Sequence, residues 1–268
     1  MVLNGNQPAQ ANGETKEQPQ GYAVTPNTTY TGETKELPRT KHRHVWYVTG
    51  PAGCGKTTVA SYMAGRFSMP YLEGDTFHPP ANISKMAAGH PLTDSDRWDW
   101  LARVRDAAVS NLSLSSPTET TSQPSSNGHS GPSTQAVDPH TSSTSSSTTS
   151  SLPPSAPAPA PAPASQHVVV TCSALKHSYR DILRSVPASA GIKVHFVYLA
   201  LSEEVLFRRV RERVGHYMKE SMVRSQIEVL EEPGEGEGDV LRVDAGREKG
   251  EVQREVGEGV EGRVRGDV

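Results

Sequence analysis

The sequence has few cysteines and no long apolar run, and both absences exclude classes of protein. Only two of its 268 residues are cysteines, Cys54 and Cys172, which is too few for a disulfide framework and favours a reducing compartment. No apolar stretch approaches the roughly 20 residues that a membrane-spanning helix needs, and the first residues lack the basic and apolar regions of a secretory signal. We therefore expect a cytoplasmic protein without a membrane partner.

The sequence is also short of hydrophobic residues and of net charge. Hydrophobic residues make up 34% of the chain and the mean hydropathy is -0.56, so a large part of the chain cannot join a core. The net charge of -3 at pH 7 gives no support for a nucleic-acid partner. The part that folds should therefore be about the size of a single domain.

Two low-complexity segments account for many of the residues that cannot fold. Residues 1–43 are polar and rich in Gln, Asn, Thr, Gly and Pro, which predicts a disordered tail. Residues 113–165 are dominated by Ser, Thr, Pro and Ala, which predicts a disordered insertion. Because loop-closure entropy grows slowly with length, a domain tolerates such an insertion at its surface. What remains is one domain at 44–262, interrupted by the insertion, and a C-terminal tail at 263–268.

Outside these segments, predicted strands alternate with predicted helices. The runs Val168–Val170 and Val194–Leu199 are typical of strands buried in a parallel sheet. The alternation predicts an α/β fold, with a parallel sheet of about five strands flanked by helices and ligands at the carboxyl ends of the strands. The final segment, 247–268, has apolar residues near helical spacing but many glycines, which predicts a weak, frayed helix. The predicted strands are 45–49, 69–72, 167–172, 193–199 and 240–243, and the predicted helices are 56–67, 82–88, 96–110, 175–185, 203–213 and 218–230.

The segment 50–57 fits the phosphate-binding pattern G-x-x-x-x-G-K-[ST]. It follows a predicted strand and precedes a predicted helix, the context in which this pattern binds a nucleoside triphosphate. Glycines let backbone N–H groups converge on phosphate oxygens, Lys56 neutralises phosphate charge, and the Thr57 hydroxyl can ligate Mg²⁺. We interpret Cys54 as a small, inert loop residue rather than an oxidisable thiol. The predicted nucleotide-binding residues are Gly50, Pro51, Ala52, Gly53, Cys54, Gly55, Lys56, Thr57 and Thr58.

Two carboxylates and a histidine follow the second predicted strand, at Glu73, Asp75 and His78. In a phosphate-loop fold this position faces the γ-phosphate, where a carboxylate can accept the proton of an attacking hydroxyl. We assign Asp75 to the substrate hydroxyl and Glu73 to the metal side. The alternative is that Asp75 only caps the next helical turn, and the spacing alone leaves both interpretations open.

Polar residues recur at two further places. The first place is Asp94, Asp96 and Arg97, which are typical of a solvated helix start, where the helix dipole favours aspartate. The polar cluster at 172–181 follows the third predicted strand, and the carboxyl end of a strand favours a position that faces the site. Taken alone, Arg180 is equally typical of a surface.

Together these segments resemble the gluconokinase family of small P-loop sugar-acid kinases. The order and spacing of the matching elements hold apart from the insertion, and they cover nearly all of 44–112 and 166–245. The elements that follow the second and third predicted strands are far more specific than the phosphate loop alone. The matching elements are Gly50–Thr57, Gly74-Asp75 with His78-Pro79, Asn82 with Lys85-Met86, Gly89 with Pro91-Leu92, Asp94 with Asp96-Arg97, Trp100-Leu101, Cys172–Lys176 with Tyr179–Asp181, Gly215-His216, and Gln226 with Leu230-Glu231 and Pro233.

The resemblance implies a three-layer kinase fold with a small lid. It also implies transfer of the γ-phosphoryl group from MgATP to the terminal hydroxyl of D-gluconate, giving 6-phosphogluconate, and it is compatible with a homodimer. Asp75 would then orient the hydroxyl and act as its base, while Lys56 with the lid residues Arg209 and Arg213 would offset charge on the phosphoryl group. The implied contacts of the sugar acid are Asp75, His78, Arg97, Lys176, Arg180 and His216.

Two alternatives of different kinds stay open. One is another small-molecule kinase on the same scaffold, such as a shikimate or nucleoside-monophosphate kinase, which His78-Pro79 and the run 173–176 argue against. The other is a nucleotide-binding interaction protein without turnover, which the joint presence of Lys56, Asp75 and the lid arginines argues against. Whether the chain is a gluconokinase or another kinase, we expect the insertion at 113–165 to leave the domain at the amino-terminal edge of the sheet, away from the site. We therefore expect it to be neutral for catalysis.

Overall fold

A parallel sheet forms the centre of the chain in this computed structural model, which describes residues 30–114, 165–212 and 220–268. The strands are β1 (Arg43–Thr49), β2 (Tyr71–Glu73), β3 (His167–Thr171), β4 (Ile192–Ala200) and β5 (Val240–Asp244). The helices are α1 (Lys56–Phe67), α2 (Pro80–Ala87), α3 (Asp94–Leu114), α4 (His177–Arg184), α5 (Glu203–Glu212), α6 (Glu220–Glu228) and α7 (Lys249–Arg265). The strand order is β2-β3-β1-β4-β5, and every pairing is parallel. Among these helices, none is both long enough and apolar enough to cross a membrane.

The two faces of β1 explain the three layers of the fold. Val45 and Tyr47 pack on one face with residues of α3 and α4, whereas Trp46 and Val48 pack on the other face with residues of α1 and α7. All four side chains are fully buried, because a central strand of a parallel sheet is covered on both sides. The predicted three-layer α/β fold is therefore confirmed.

The parallel pairing brings the carboxyl ends of the strands to one edge of the sheet. Val48 of β1 pairs with Thr171 of β3, and Thr49 pairs with Tyr198 of β4. On the other side of β3, Glu73 at the end of β2 pairs with the same Thr171. The polar segments that follow β1, β2 and β3 in the sequence therefore start side by side.

Helix α7 packs better than the sequence predicts. A side chain at Gly257 would lie 2.8 Å from the hydroxyl of Tyr62, and one at Gly259 would lie 2.4 Å from Leu241. These glycines therefore give the helix room to approach α1 and β5, and the expectation of a weak, frayed helix is wrong. The residues that anchor its inner face recur at a spacing of four and are the buried Val252, Val256, Val260 and Val264.

The domain begins earlier than predicted. Thr40 is buried, its backbone N–H donates to the side-chain oxygen of Gln166 at 3.1 Å, and its carbonyl accepts from the side-chain nitrogen of Gln166 at 3.0 Å. Residues 30–43 of the expected tail therefore pack on the domain, because this reciprocal pair ties them to the segment that precedes β3. Residues 1–29 lie outside the described part of the chain.

The domain also ends later than predicted. Residues 263–268, expected to be a tail, complete α7 up to Arg265 and bury Asp267. The carboxylate of Asp267 lies 2.8 Å from Nδ1 of His42 and 3.1 Å from Nε2 of the fully buried His44. The contacts with the start of β1 hold this segment in place.

Both ends of the insertion lie at the amino-terminal edge of the sheet. Arg43, the first residue of β1, donates to the carbonyl of Leu112 near the end of α3 at 3.2 Å. His44 donates its backbone N–H to the carbonyl of Gln166, just before β3, at 2.8 Å. The insertion thus leaves and re-enters at the edge that the sequence predicts, while residues 115–164 lie outside the described residues.

Candidate active site

The phosphate loop runs from the end of β1 into the start of α1. Gly50, Gly53 and Gly55 have φ values of 136°, 88° and 108°, a region that glycine adopts at little steric cost. A side chain at Gly53 would also lie 2.8 Å from Cγ2 of Val210 in α5. Glycine therefore permits both the curvature of the loop and the approach of α5.

Two side chains complete this loop. The ammonium of Lys56 donates to the carbonyl of Gly50 at 2.9 Å and to that of Pro51 at 3.0 Å, so it lies over the loop. The thiol of Cys54 is buried, and burial raises its pKa, which agrees with the interpretation of Cys54 as an inert loop residue. Lys56 is also the first residue of α1. The free backbone N–H groups at the start of this helix therefore lie next to the phosphate loop.

A cavity of about 680 Å³ opens from the phosphate loop. Arg209 of α5 lines it and donates to the carbonyls of Ala245 at 2.8 Å and Cys54 at 3.4 Å. The predicted residues that line the cavity are Ala52, Gly53, Cys54, Gly55, Lys56, Thr57, Thr58, Glu73, Asp75 and Arg209. Lining residues that no sequence pattern indicated are Val59, Val210, Glu212, Ala245, Arg247, Lys249, Val252 and Gln253.

Glu73 and Thr57, the residues predicted for the metal side, line the same cavity. The carboxylate of Glu73 accepts short hydrogen bonds from the hydroxyls of Tyr71 and Thr171. Burial, with the bond to Glu73, raises the pKa of Tyr71. The phenol therefore stays protonated and donates to the Glu73 carboxylate.

Gly74 marks the closest approach of the chain after β2 to the end of β3. A side chain there would lie 1.9 Å from the carbonyl oxygen of Thr171. The backbone N–H of Gly74 donates to the Thr171 hydroxyl at 3.2 Å, and its carbonyl accepts from Nε1 of the buried Trp100 at 2.8 Å. Hydrogen bonds thus hold both the N–H and the carbonyl of Gly74. They thereby also hold the backbone of the next residue in position.

That residue is Asp75, which lies in a short 3₁₀ turn from Gly74 to Phe77. The side chain of Asp75 is 78% exposed and lines the cavity. The cap positions of this turn and of α2 are Glu73 and Pro79, and neither makes a side-chain capping bond. The alternative that Asp75 caps the next turn is therefore wrong, and its carboxylate faces the cavity.

His78 lies beside Asp75, with Nε2 4.0 Å from the nearest carboxylate oxygen. Its ring stacks on Trp100 at a centroid distance of 4.2 Å. Burial, with a smaller effect from the charge of Arg97, lowers the pKa of His78 to about 4, so the ring is neutral near pH 7. The side-chain amide of Asn82 approaches Nδ1 at 3.5 Å. With Nδ1 as acceptor, the ring proton lies on Nε2 and faces Asp75.

Arg97 and Lys176 both lie over the ring of Tyr179, at 5.8 Å and 5.6 Å from its centroid. Lys176 pairs with the carboxylate of Asp94, with both oxygens at 2.8 Å, and the hydroxyl of Tyr179 donates to the same carboxylate at 2.5 Å. Asp96 pairs with Lys85 at 2.5 Å. The two aspartates therefore belong to ion pairs with neighbouring elements rather than to a merely solvated helix start.

The thiol of Cys172, directly after β3, is buried, and burial raises its pKa to about 12. The charges of Asp75, Lys56 and Arg97 act on the same pKa with smaller effects. The carboxyl end of β3 therefore lies within electrostatic range of the phosphate loop, of Asp75 and of the first cation of the predicted sugar-acid side.

The structure does not place three other predicted residues in the site. Arg180 is 2% exposed and its guanidinium is bonded to a carboxylate of the protein, so it lies behind the site rather than in it. Arg213 and His216 lie outside the described residues. Their roles stay predictions.

Gln226 of α6 is a residue whose role the sequence did not reveal, although it belongs to a matching element. Its side-chain oxygen accepts the backbone N–H of Ala52 in the phosphate loop at 2.8 Å. Val223, three residues earlier in the same helix, is fully buried. This side chain anchors α6 in the core behind the loop. The contact joins residues 174 positions apart, and no local pattern encodes it.

Comparisons with known proteins agree with this geometry, although no family model matches the chain. A probable gluconokinase of Schizosaccharomyces pombe is 37% identical over 214 residues, covering 79% of this chain and 86% of the relative. The thermoresistant gluconokinase of Escherichia coli is 32% identical, covering 75% of this chain and 84% of the relative. The crystal structure of a gluconokinase from Sinorhizobium meliloti superposes with a TM-score of 0.56 at 33% identity, over 85% of this chain and 97% of that one. Because both relatives are more than 30% identical to this chain and are matched over most of their length, the chain belongs to the gluconokinase family.

Proposed function

We propose that the chain transfers the γ-phosphoryl group of ATP to the terminal hydroxyl of D-gluconate, giving 6-phosphogluconate and ADP. The observation that carries this proposal is the position of Asp75. It lines the same cavity as Lys56 and Thr57, and its carboxylate lies 4.0 Å from Nε2 of His78, one of the predicted contacts of the sugar acid. A carboxylate between a phosphate site and a sugar site suits an in-line transfer to a hydroxyl.

ATP is the co-substrate, and the phosphate loop offers it backbone N–H groups, the start of α1 and the ammonium of Lys56. Arg209 reaches the same cavity from α5 and can offset charge on the transferring group. Arg213, four residues further along the sequence, is proposed to do the same from the lid. The cations Arg247 and Lys249 line the same cavity and are proposed to contact the nucleotide as well.

Magnesium is proposed to enter with ATP, and the residues present fit it. The Thr57 hydroxyl and the Glu73 carboxylate are oxygen donors, which Mg²⁺ prefers, and both residues line the same cavity. Among the described residues, no group of three or more His, Cys, Asp or Glu side chains forms a protein-only metal site. Thr57 and Glu73 would therefore hold the ion together with phosphate oxygens, and the ion would supply charge neutralisation at the phosphates.

On the sugar side, each residue has a separate task. Asp75 accepts the proton of the attacking hydroxyl and keeps it in line, and the neutral His78 donates from Nε2 to a neighbouring hydroxyl. Arg97 and Lys176 attract the carboxylate of the sugar acid, and a guanidinium can bind a carboxylate through paired hydrogen bonds. His216 is proposed to belong to the same wall, and a homodimer in the cytoplasm stays a prediction.

A coupled assay tests the proposal. The protein is supplied with MgATP and D-gluconate, and 6-phosphogluconate dehydrogenase with NADP reports the product as NADPH. NADPH should appear only when both substrates are present. A folded, ATP-binding preparation that yields no NADPH would refute the proposal, and a panel with shikimate and nucleoside monophosphates would then identify another acceptor.

A further inference from the structure

The guanidinium of Arg180, a residue of α4, is occupied within the protein. Its Nε and one terminal nitrogen donate to the two carboxylate oxygens of Glu237, both at 2.7 Å. Its other terminal nitrogen donates to the carbonyls of Ala174 at 3.3 Å and Glu231 at 3.0 Å. The side chains of Arg180 and Glu237 are 2% and 9% exposed, so this is a buried, two-pronged ion pair with little capacity left for a ligand.

The pair holds a loop whose backbone is strained. Ala174 has φ of 40°, a left-handed conformation that costs a residue with a Cβ, and its side chain is buried. Ala174 lies in the loop 172–176, which connects β3 to α4 and ends at Lys176. An unfavourable conformation persists only where surrounding contacts impose it, and the bond from Arg180 to the Ala174 carbonyl is such a contact.

Glu231 adds two contacts on either side of Lys176. Its backbone N–H donates to the carbonyl of Leu175 at 2.9 Å, and its carboxylate accepts the backbone N–H of His177 at 2.7 Å. Because Glu231 is itself tied to Arg180 through its carbonyl, all of these contacts converge on the backbone that carries Lys176. The segment 231–237 therefore holds the loop 172–176 from behind.

The charges around Glu237 keep this arrangement intact near neutral pH. The bonds from Arg180 and then from Arg184 lower the pKa of Glu237 to about 2, against a smaller opposing effect of burial. Arg184 also pairs with Asp239 at 2.7 Å and Asp181 at 2.9 Å. Glu237 is thus ionised, and its arginines have further partners in the protein.

We propose that Arg180 and Glu237 are positioning residues, which hold the strained loop 172–176 so that Lys176 faces the carboxylate of the sugar acid. This inference rests on the function proposed above, and it assigns Arg180 a task behind the site instead of direct contact with substrate. It names Glu237, a residue outside every matching element, as equally important for substrate affinity. Arg180 acts through the loop, and Lys176 makes the contact.

The two roles of Arg180 predict opposite effects of Glu237→Gln. If Arg180 bound the sugar acid directly, weakening its internal partner would free the guanidinium and leave the gluconate KM unchanged or lower it. If the pair positions the loop, Glu237→Gln removes a charged partner from the pair, and the gluconate KM should rise as it does in Arg180→Lys. Lysine keeps the charge at position 180 but cannot form the two-pronged contact.

The experiment compares Arg180→Lys and Glu237→Gln with the wild type in the coupled assay, with Arg242→Lys as the matched control. Arg242 forms an exposed ion pair with Glu232 at 2.6 Å, so its exchange should change nothing. We expect the gluconate KM to rise about tenfold in both test variants, with the ATP KM within about twofold of the wild-type value. An unchanged gluconate KM in folded Arg180→Lys, or an unchanged or lower one in Glu237→Gln, would overturn the proposal.

A third variant keeps the test valid if the buried exchanges prevent folding. Glu231→Ala removes only an exposed carboxylate, so it should fold, and it should raise the gluconate KM in the same direction, whereas its exposed neighbour Glu232→Ala should not. Melting temperature and ATP affinity verify folding in every variant. Wild-type protein that binds ATP but does not use gluconate would refute the proposed function itself, and the positioning role with it. If the wild-type protein is active, an unchanged gluconate KM in folded Arg180→Lys or Glu237→Gln would refute the positioning role alone. If neither of these variants folds, an unchanged gluconate KM in Glu231→Ala would refute it.

Discussion

Gly74→Ala is the substitution for which the structure gives the clearest prediction. The new Cβ would lie 1.9 Å from the carbonyl oxygen of Thr171 and 3.1 Å from its carbonyl carbon, and both are backbone atoms that cannot rotate away. Real Cβ contacts stay at 3.0 Å or more. The chain after β2 must therefore move away from β3 by about 1 Å, the smallest shift that restores an ordinary contact.

The effect on stability follows from the contacts that this shift breaks. Overpacking costs about 1–3 kcal/mol, and loss of the bond from the buried Trp100 indole to the Gly74 carbonyl leaves a donor unsatisfied at about 1–3 kcal/mol more. We expect Gly74→Ala to lower the free energy of unfolding by about 2–6 kcal/mol, out of the roughly 5–15 kcal/mol typical of a domain. Urea denaturation measures this change.

The effect on turnover follows from Asp75, which is the next residue. A displacement of about 1 Å at a reacting group can reduce the rate about 100-fold, so kcat should fall by about that factor in the coupled assay. ATP affinity should change little, because the phosphate loop follows a different strand. Gly234→Ala is the matched control, since a side chain there meets nothing within 4 Å. An unchanged unfolding free energy together with a kcat within about twofold of the wild-type value in Gly74→Ala would show that the close approach does not control Asp75.

Three further predictions concern the base, acid stability and the insertion. Asp75→Asn should lower kcat by about 10²–10⁴-fold with ATP affinity unchanged, because only the proton acceptor is lost; equal loss of both would mean a structural role. Burial lowers the pKa of His78 to about 4 and those of His167 and His195 to about 3, below the value of about 6.5 expected in the unfolded chain. The unfolded state therefore binds more protons, and the unfolding free energy should fall as the pH drops from about 6.5 towards 3, which denaturation at a series of pH values measures. Replacing 115–164 by a short Gly/Ser linker should keep kcat within about twofold, because both ends of the insertion lie at the edge of the sheet opposite the site.

Each of these predictions has a control within the chain. Asp99→Asn changes an exposed carboxylate of α3 and should leave kcat unchanged. His78→Gln should flatten the acid dependence of stability, whereas His177→Gln, at an exposed position, should not. For the deletion, a large loss of turnover in a protein of unchanged melting temperature would mean that the insertion takes part in catalysis.

The sequence predicts the order of elements well because the central strands are continuous apolar runs. Val168–Val170 and Val194–Leu199 are typical of a sheet covered on both faces, and the structure buries both runs except Val194, which is partly buried. It predicts α7 badly because glycine content is a local property, whereas room for close packing is a tertiary one. Gly257 and Gly259 lower helix propensity locally but allow contacts with Tyr62 and Leu241.

The candidate site likewise combines residues that local sequence patterns predict with residues that only the tertiary structure brings together. The phosphate loop and Asp75 are local in the sequence, so their positions follow from the strands that precede them. The partner of Arg180 is not local, because Glu237 lies 57 residues further along in a glycine-rich segment without a pattern. Likewise, no spacing indicates that Arg247 and Lys249 line the nucleotide cavity. Residues that act through distant partners can be assigned only once the fold is known.

The carboxyl end of β3 explains why the site needs these distant partners. Thr171 donates its hydroxyl to Glu73 on the proposed metal side and accepts the N–H of Gly74 just before the proposed base. The next residues along the chain form the strained loop that carries Lys176. One strand end therefore sets the relative positions of the proposed metal ligand, the proposed base and the proposed substrate cation, and an error there would displace all three together. Contacts from behind, through Trp100 and Arg180, limit that displacement without occupying the space that the substrates need.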